Sequence, residues 1–349
     1  MSVLRNPLHE EIPLGSSSQN QDSSHSPQLR GQARMEPKES HAFTYVSLAV
    51  HAFLGVFLRL VIIYIFTTFQ PSLTNHSVMF PNFLGSFVMG IVVFHKKQLT
   101  EIHPQLCAGI LTGFCGSLTS FSTVMVAVAK IFFGVYNCQW TVAERIFLFF
   151  ETYFFNFFVA FTILSYAFTL SSKGSCQNVT CLKDNRKVVN LLLLLFYIII
   201  SCISIILSIL VPVTRKFALS ILLGQFGVVV RYLLGKYVNP RVPSFPVGTF
   251  LANVLGTIIS SSVNGVMVYQ SDSLTPLTKD FLFAISNGIA GALTTVSSFV
   301  SEIHSLPTYK NSSIYSMVTL CISQIIGVLP FIILFYNFDN SDNPIFCDK

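Results

Sequence analysis

Two stretches of this 349-residue chain crowd hydroxyl side chains behind glycines. The first reads Gly113-Phe114-Cys115-Gly116-Ser117-Leu118-Thr119-Ser120-Phe121-Ser122-Thr123, the second Gly288-Ile289-Ala290-Gly291-Ala292-Leu293-Thr294-Thr295-Val296-Ser297-Ser298. Both lie inside long apolar runs. An isolated Ser or Thr in an apolar helix bonds back to its own carbonyls. Four clustered hydroxyls after two glycines predict instead a helix broken near mid-membrane, with free carbonyls and amides. Irregular backbone survives at that depth only where it lines a cavity or is buried in protein.

Other residues repeat in the same order. Gly55-Val56-Phe57-Leu58-Arg59 is answered by Gly227-Val228-Val229-Val230-Arg231, and Asn82-Phe83-Leu84-Gly85 by Asn253-Val254-Leu255-Gly256. The offsets of the three motifs are 172, 171 and 175, too uniform for chance. The chain therefore contains an internal repeat.

The elements that must position these motifs follow from composition. Hydrophobic residues make up 52% of the chain and charged residues 10%, against roughly a quarter charged in soluble proteins. Lipid must serve as solvent for much of this surface. Nine apolar segments, near 42–66, 78–94, 106–133, 146–170, 188–211, 217–234, 247–269, 281–303 and 314–338, are each about long enough to cross ~30 Å of hydrocarbon. The predicted fold is an all-α integral membrane protein of nine transmembrane helices, with a broken third helix in each half.

Residues 1–41, rich in Ser, Gln and Pro, read as a disordered cytosolic tail. Residues 42–170 and 217–338 form two four-helix domains, 171–216 a linker carrying the extra helix at about 188–211, and 339–349 a short tail. Four helices per half would insert both halves alike. One intervening helix reverses the second, giving an inverted repeat.

Lys and Arg number thirteen on one set of connecting segments and five on the other. The positive-inside rule then places the N-terminus in the cytosol and the C-terminus outside. The sequon at Asn75 falls outside, open to a glycan. The net charge of +6 is spread over loops with no basic stripe, which argues against nucleic acid.

At this point the motifs, in this order and twice over, resemble the Fluc (CrcB) fluoride channels in their fused, double-domain eukaryotic form. The resemblance covers nearly all of residues 42–338. It implies a passive channel that exports fluoride across the plasma membrane, functional as a single chain. It also implies pore residues: Phe121 and Phe299 from the broken helices, Asn82, Asn253 and Thr249 from the second helices, and the track Tyr315, Thr319 and Ser323 on the last. A structural sodium ion would be held by the carbonyls of Gly116, Thr119, Gly291 and Thr294; neutral oxygens suit a hard cation. Arg59 and Arg231, within or near apolar segments, would draw anions into an aqueous vestibule.

The two halves depart from the family pattern unevenly. Phe121 is matched by Val296, and Phe299 by Val124; Thr249 by Val78, and Glu302 by Ala127. The first half offers Leu148, Thr152 and Asn156 where the second has its polar track. Neutral amide and hydroxyl donors and the positive edges of aromatic rings suit a small, strongly hydrated anion without trapping it.

Competing functions remain open. An inverted repeat also builds proton-coupled transporters; Glu151 and Glu302 are the acids available for coupling. For an enzyme there is no buried Asp pair, His cluster or nucleophile with its base. Cys176 and Cys181 lack the partners of a zinc site.

Overall fold

A computed structural model describes residues 41–69, 77–137, 139–173 and 185–338. The predicted tails, the sequon at Asn75, and Cys176 and Cys181 lie outside the described residues. In chain order the helices are α1 (His41–Phe69), α2 (Met79–Phe94), α3 (Pro104–Phe132), α4 (Val142–Lys173), α5 (Arg186–Leu210), α6 (Arg215–Tyr237), α7 (Val247–Tyr269), α8 (Pro276–Ser305) and α9 (Tyr309–Phe338). No strand occurs among the described residues.

Eight of these helices are long and apolar enough to cross a membrane, and the chain is an all-α integral membrane protein. The exception is α2, whose 16 residues reach only about 24 Å at 1.5 Å each. It continues past a 72° bend as Lys96–Ile102, and counting that bent pair as one span gives nine.

Local chemistry sets the helix starts. Thr141 accepts from the Glu144 N–H while the Glu144 carboxylate accepts from the Thr141 N–H, a reciprocal cap that opens α4. Thr275 caps α8, with Pro276 in the first turn where no N–H is needed.

Both predicted breaks are present, at the hydroxyl clusters. The first arm of α3 widens to a π-helix over Gly109–Cys115, closes in the turn Gly116–Leu118, then runs extended through Thr119 and Ser120 with ψ of 152° and 116°. The second arm begins at Phe121. In α8 the π stretch is Ile285–Ala290, the turn Gly291–Leu293, and the extended pair Thr294 and Thr295, with ψ of 156° and 131°. The hydroxyls restart the helices: Ser120 accepts from the Thr123 N–H and Thr295 from the Ser298 N–H.

Gly55 and Gly227 let α1 and α6 pass close to the first arms. A Cβ at Gly55 would lie 2.6 Å from the Phe114 carbonyl, and one at Gly227 would strike that of Ile289. Arg59 and Arg231 follow one turn later, so the Gly-x-x-x-Arg motif delivers a guanidinium to the break. By contrast α5 has a single buried residue, Ser204. Its hydrophobic faces are turned outward, as a lipid-facing span requires.

Candidate functional site

The two breaks meet, and their hydroxyls cap each other's second arms. Thr119 Oγ1 accepts from the Ser297 N–H at 3.2 Å and lies 3.1 Å from Ser297 Oγ. In the matching contact Thr294 Oγ1 accepts from the Ser122 N–H at 3.1 Å and lies 3.0 Å from Ser122 Oγ. All four residues are fully buried. A broken helix leaves N–H groups without intrahelical partners; here each half satisfies those of the other.

Asn82 and Asn253 hold the extended backbone. Asn82 Oδ1 accepts from the Ser120 N–H at 3.0 Å, and Asn253 Oδ1 from the Thr295 N–H at 2.9 Å. The remaining amide N–H groups differ. Asn82 Nδ2 donates to Asn156 Oδ1 at 2.7 Å, while Asn253 Nδ2 reaches the Thr295 carbonyl only at 3.3 Å. In the first half Thr152 and Asn156 are likewise buried, and Asn156 accepts from the Asn82 amide, whereas the Asn253 amide keeps only its longer contact.

The arginines differ from expectation. Arg59 is 1% exposed and Arg231 4%, so neither lines a water-filled vestibule. Arg59 Nη1 donates to the Gly291 carbonyl at 2.8 Å and, at 3.5 Å, to that of Thr119; Nη2 donates to the Asn287 carbonyl. Arg231 Nη2 donates to the Thr112 carbonyl at 2.5 Å and Nη1 to that of Thr294 at 3.5 Å. Each guanidinium thus crosses to the broken helix of the other half. The turn carbonyls that a helix break leaves free take charged donors in place of water.

This arrangement also bears on sodium. Of the four carbonyls assigned to the ion, those of Thr119, Gly291 and Thr294 accept from arginine. The fourth position, Gly116, faces Arg231: a Cβ there would strike its guanidinium, as one at Gly291 would strike that of Arg59. Two guanidinium charges buried beside these carbonyls repel a third cation. Arginine donors thus compete with sodium for these carbonyls, and no step below is routed through the ion.

Phe121 and Phe299 come together, with ring centroids 5.6 Å apart and planes at 79°, the edge of one ring against the face of the other. Phe157 of α4, which no motif singled out, packs on both at 5.3 and 5.8 Å. Val124 and Val296 are wholly buried in the same apolar cluster.

Beyond Phe299 the site becomes polar. Tyr315 lies 5.3 Å from the Phe299 ring, and its hydroxyl donates to Glu302 Oε2 at 2.6 Å. Glu302 Oε1 accepts from Thr249 Oγ1 at 2.5 Å and from Asn239 Nδ2 at 3.0 Å. Three donors from three elements therefore hold one carboxylate. Asn239 was not foreseen, because it lies in a connecting turn outside every motif. Thr319 and Ser323, one and two turns after Tyr315 on α9, are fully buried, and their hydroxyls have no protein partner. Thr257 and Ser261 on α7 share that condition. Buried hydroxyls without partners are costly and are therefore the groups with hydrogen bonds to offer a passing solute.

Comparison with known proteins matches two stretches, residues 46–163 and 218–334, to the family described as CrcB-like protein, Camphor Resistance (CrcB). Fluoride export protein 1 of Candida albicans is 28% identical over 298 residues, 75% of this chain and 73% of the relative. Fluoride export protein 1 of Saccharomyces cerevisiae is 31% identical over 121 residues, 33% of this chain and 32% of the relative. The Fluoride-specific ion channel FluC of Acinetobacter baumannii (strain ACICU) is 37% identical over 115 residues, 32% of this chain but 85% of the relative. No solved structure matches the chain. The two matched stretches span more than half of the sequence and leave out the helix between them, α5; the chain belongs to the CrcB-like family and carries its domain twice.

Proposed function

We propose that this protein is a fluoride-selective channel that exports fluoride passively from the cytosol across the plasma membrane. A single chain supplies the whole path. Two relatives named fluoride export proteins and one named a fluoride-specific channel support the ion. The observation that carries the pathway is the edge-to-face pair Phe121–Phe299; Phe299 packs on Tyr315, and the unpartnered hydroxyls of Thr319 and Ser323 follow one and two turns later on α9. Ring edges and neutral hydroxyls replace lost hydration without a fixed charge that would hold the ion.

The contacts between the halves come in matched pairs, as an inverted repeat with its odd helix at α5 would give. The N-terminus is then cytosolic and the C-terminus external. An inside-negative potential contributes ~2.3 kcal/mol per 100 mV to the exit of one anion, so no coupling ion is needed. The test is fluoride efflux from liposomes holding the purified protein, with a set potential and no proton gradient. Efflux that stops without a proton gradient would favour the second reading, a proton-coupled transporter. Its supporting observation is Glu302, a carboxylate placed against Tyr315 at one end of the pathway.

A further inference from the structure

Lys130 stands in the last turn of α3, nine residues beyond Phe121, and is partly buried. Its ammonium donates to Asn264 Oδ1 on α7 at 2.9 Å. The Asn264 amide cannot turn away: its N–H groups are engaged by the Ser260 carbonyl at 2.9 Å and Ser286 Oγ at 2.8 Å. One of three ammonium donors is used. Among the described residues no carboxylate lies within ion-pair distance of Lys130. A cation held between two helices with no counter-charge is costly unless an anion arrives.

The surroundings select a small anion. Asn253, Thr257, Ser261 and Asn264 follow one face of α7 at spacings of four, four and three. The hydroxyls of Thr257 and Ser261 are buried and without partners. They pack where Gly327 lets α9 come close: a Cβ there would lie 3.2 Å from Thr257 Cγ2, 3.4 Å from Met125 Cβ and 3.5 Å from Ser261 Oγ. Met125 lies on the arm that joins Phe121 to Lys130, so three helices lead from the ring pair to the ammonium.

We propose that Lys130, with Ser261 one turn before its partner Asn264 on α7, is a fluoride-binding site at the end of the pathway opposite Glu302. The inference rests on the channel reading above. From Thr249, which bonds Glu302, to Asn264 is fifteen residues of α7, about 22 Å of rise. The pathway then has a carboxylate at one end and an ammonium at the other. At the repeat offsets the counterparts of Lys130, Ser261 and Asn264 are Ser305, Gly90 and Val93, so one pathway alone has this site. The hydrogen bond to Asn264 and the partial exposure of the ammonium moderate its hold, which lets the ion leave.

The test pairs equilibrium fluoride binding to the purified full-length protein, read with a fluoride electrode, with the concentration dependence of efflux from liposomes. Lys130→Gln should raise both the dissociation constant and the half-saturating concentration about tenfold, the loss of one charge-assisted hydrogen bond. Lys130→Arg should stay within about twofold, because the charge is kept. Ser261→Ala, which removes a single oxygen, should weaken binding about threefold and decides the matter if Lys130→Gln does not fold. Unchanged half-saturation in the folded Lys130→Gln and Ser261→Ala proteins would overturn the site. Wild-type liposomes that pass no fluoride would instead overturn the channel reading.

Discussion

Arg59 and Gly291 are 232 positions apart in the chain, yet the Arg59 guanidinium donates to the Gly291 carbonyl at 2.8 Å and fills the space where a Gly291 side chain would stand. Arg231, in turn, fills the space where a Gly116 side chain would stand. Glycine is required at both positions because an arginine has taken the room. Gly291→Ala should therefore lower the thermal midpoint in detergent by the equivalent of about 1–3 kcal/mol, an overpacking cost. Arg59→Ala should cost about 1–3 kcal/mol for each turn carbonyl left without its charged donor. The double variant should be no less stable than Arg59→Ala alone, since the clash is gone. Fully additive losses would show that the two residues do not share the site.

The same geometry predicts indifference to sodium. Efflux at equal potential should be unchanged within about twofold when sodium is replaced on both sides by potassium or a large organic cation. Flux that disappears without sodium and returns on its addition would restore the carbonyl cage implied by resemblance.

Much of this was legible from residue types alone. The apolar segments foretold the helices to within a few residues, because crossing hydrocarbon demands length and composition at once. The breaks were legible because Thr119-Ser120 and Thr294-Thr295 place cap-forming hydroxyls where a continuous helix has no use for them. The destination of Arg59 was not legible. A long flexible side chain near a helix middle can snorkel, face a cavity or turn inward, and its acceptors belong to a segment more than two hundred residues away. Glu302 was visible as an acid, but its donors Asn239, Thr249 and Tyr315 converge only in the fold.

Glu302 accepts from three donors, so its carboxylate should be hard to replace. Glu302→Gln keeps the shape but turns an amide N–H toward groups that already donate. One or two of the hydroxyls of Thr249 and Tyr315 and the Asn239 amide then lose an acceptor in a buried place, at about 1–3 kcal/mol each. The thermal midpoint should fall measurably, and fluoride efflux per folded channel should fall with it, since Tyr315 leads into the Phe299 ring. A Glu302→Gln protein with wild-type stability and wild-type flux would show that the network neither braces nor serves the pathway.

The sharpest prediction concerns the number of working pathways. Phe121 and Phe299 come from different halves and meet at 5.6 Å, whereas the repeat positions that should form the second pathway are Val124 and Val296. Methyl groups cannot stand in for ring edges beside a desolvated fluoride. The first-half amide that would donate there, Asn82, is already committed to Asn156 at 2.7 Å. Single Phe121→Ile and Phe299→Ile changes should each remove most fluoride tolerance and most liposome efflux. Val124→Ile and Val296→Ile place an extra methylene in a filled cluster and should cost about 1–3 kcal/mol of stability, yet flux per folded channel should stay near wild type. Normalising efflux to folded protein separates the two effects. If two independent pathways operated, each Phe substitution would leave about half the flux, and that result would overturn the assignment.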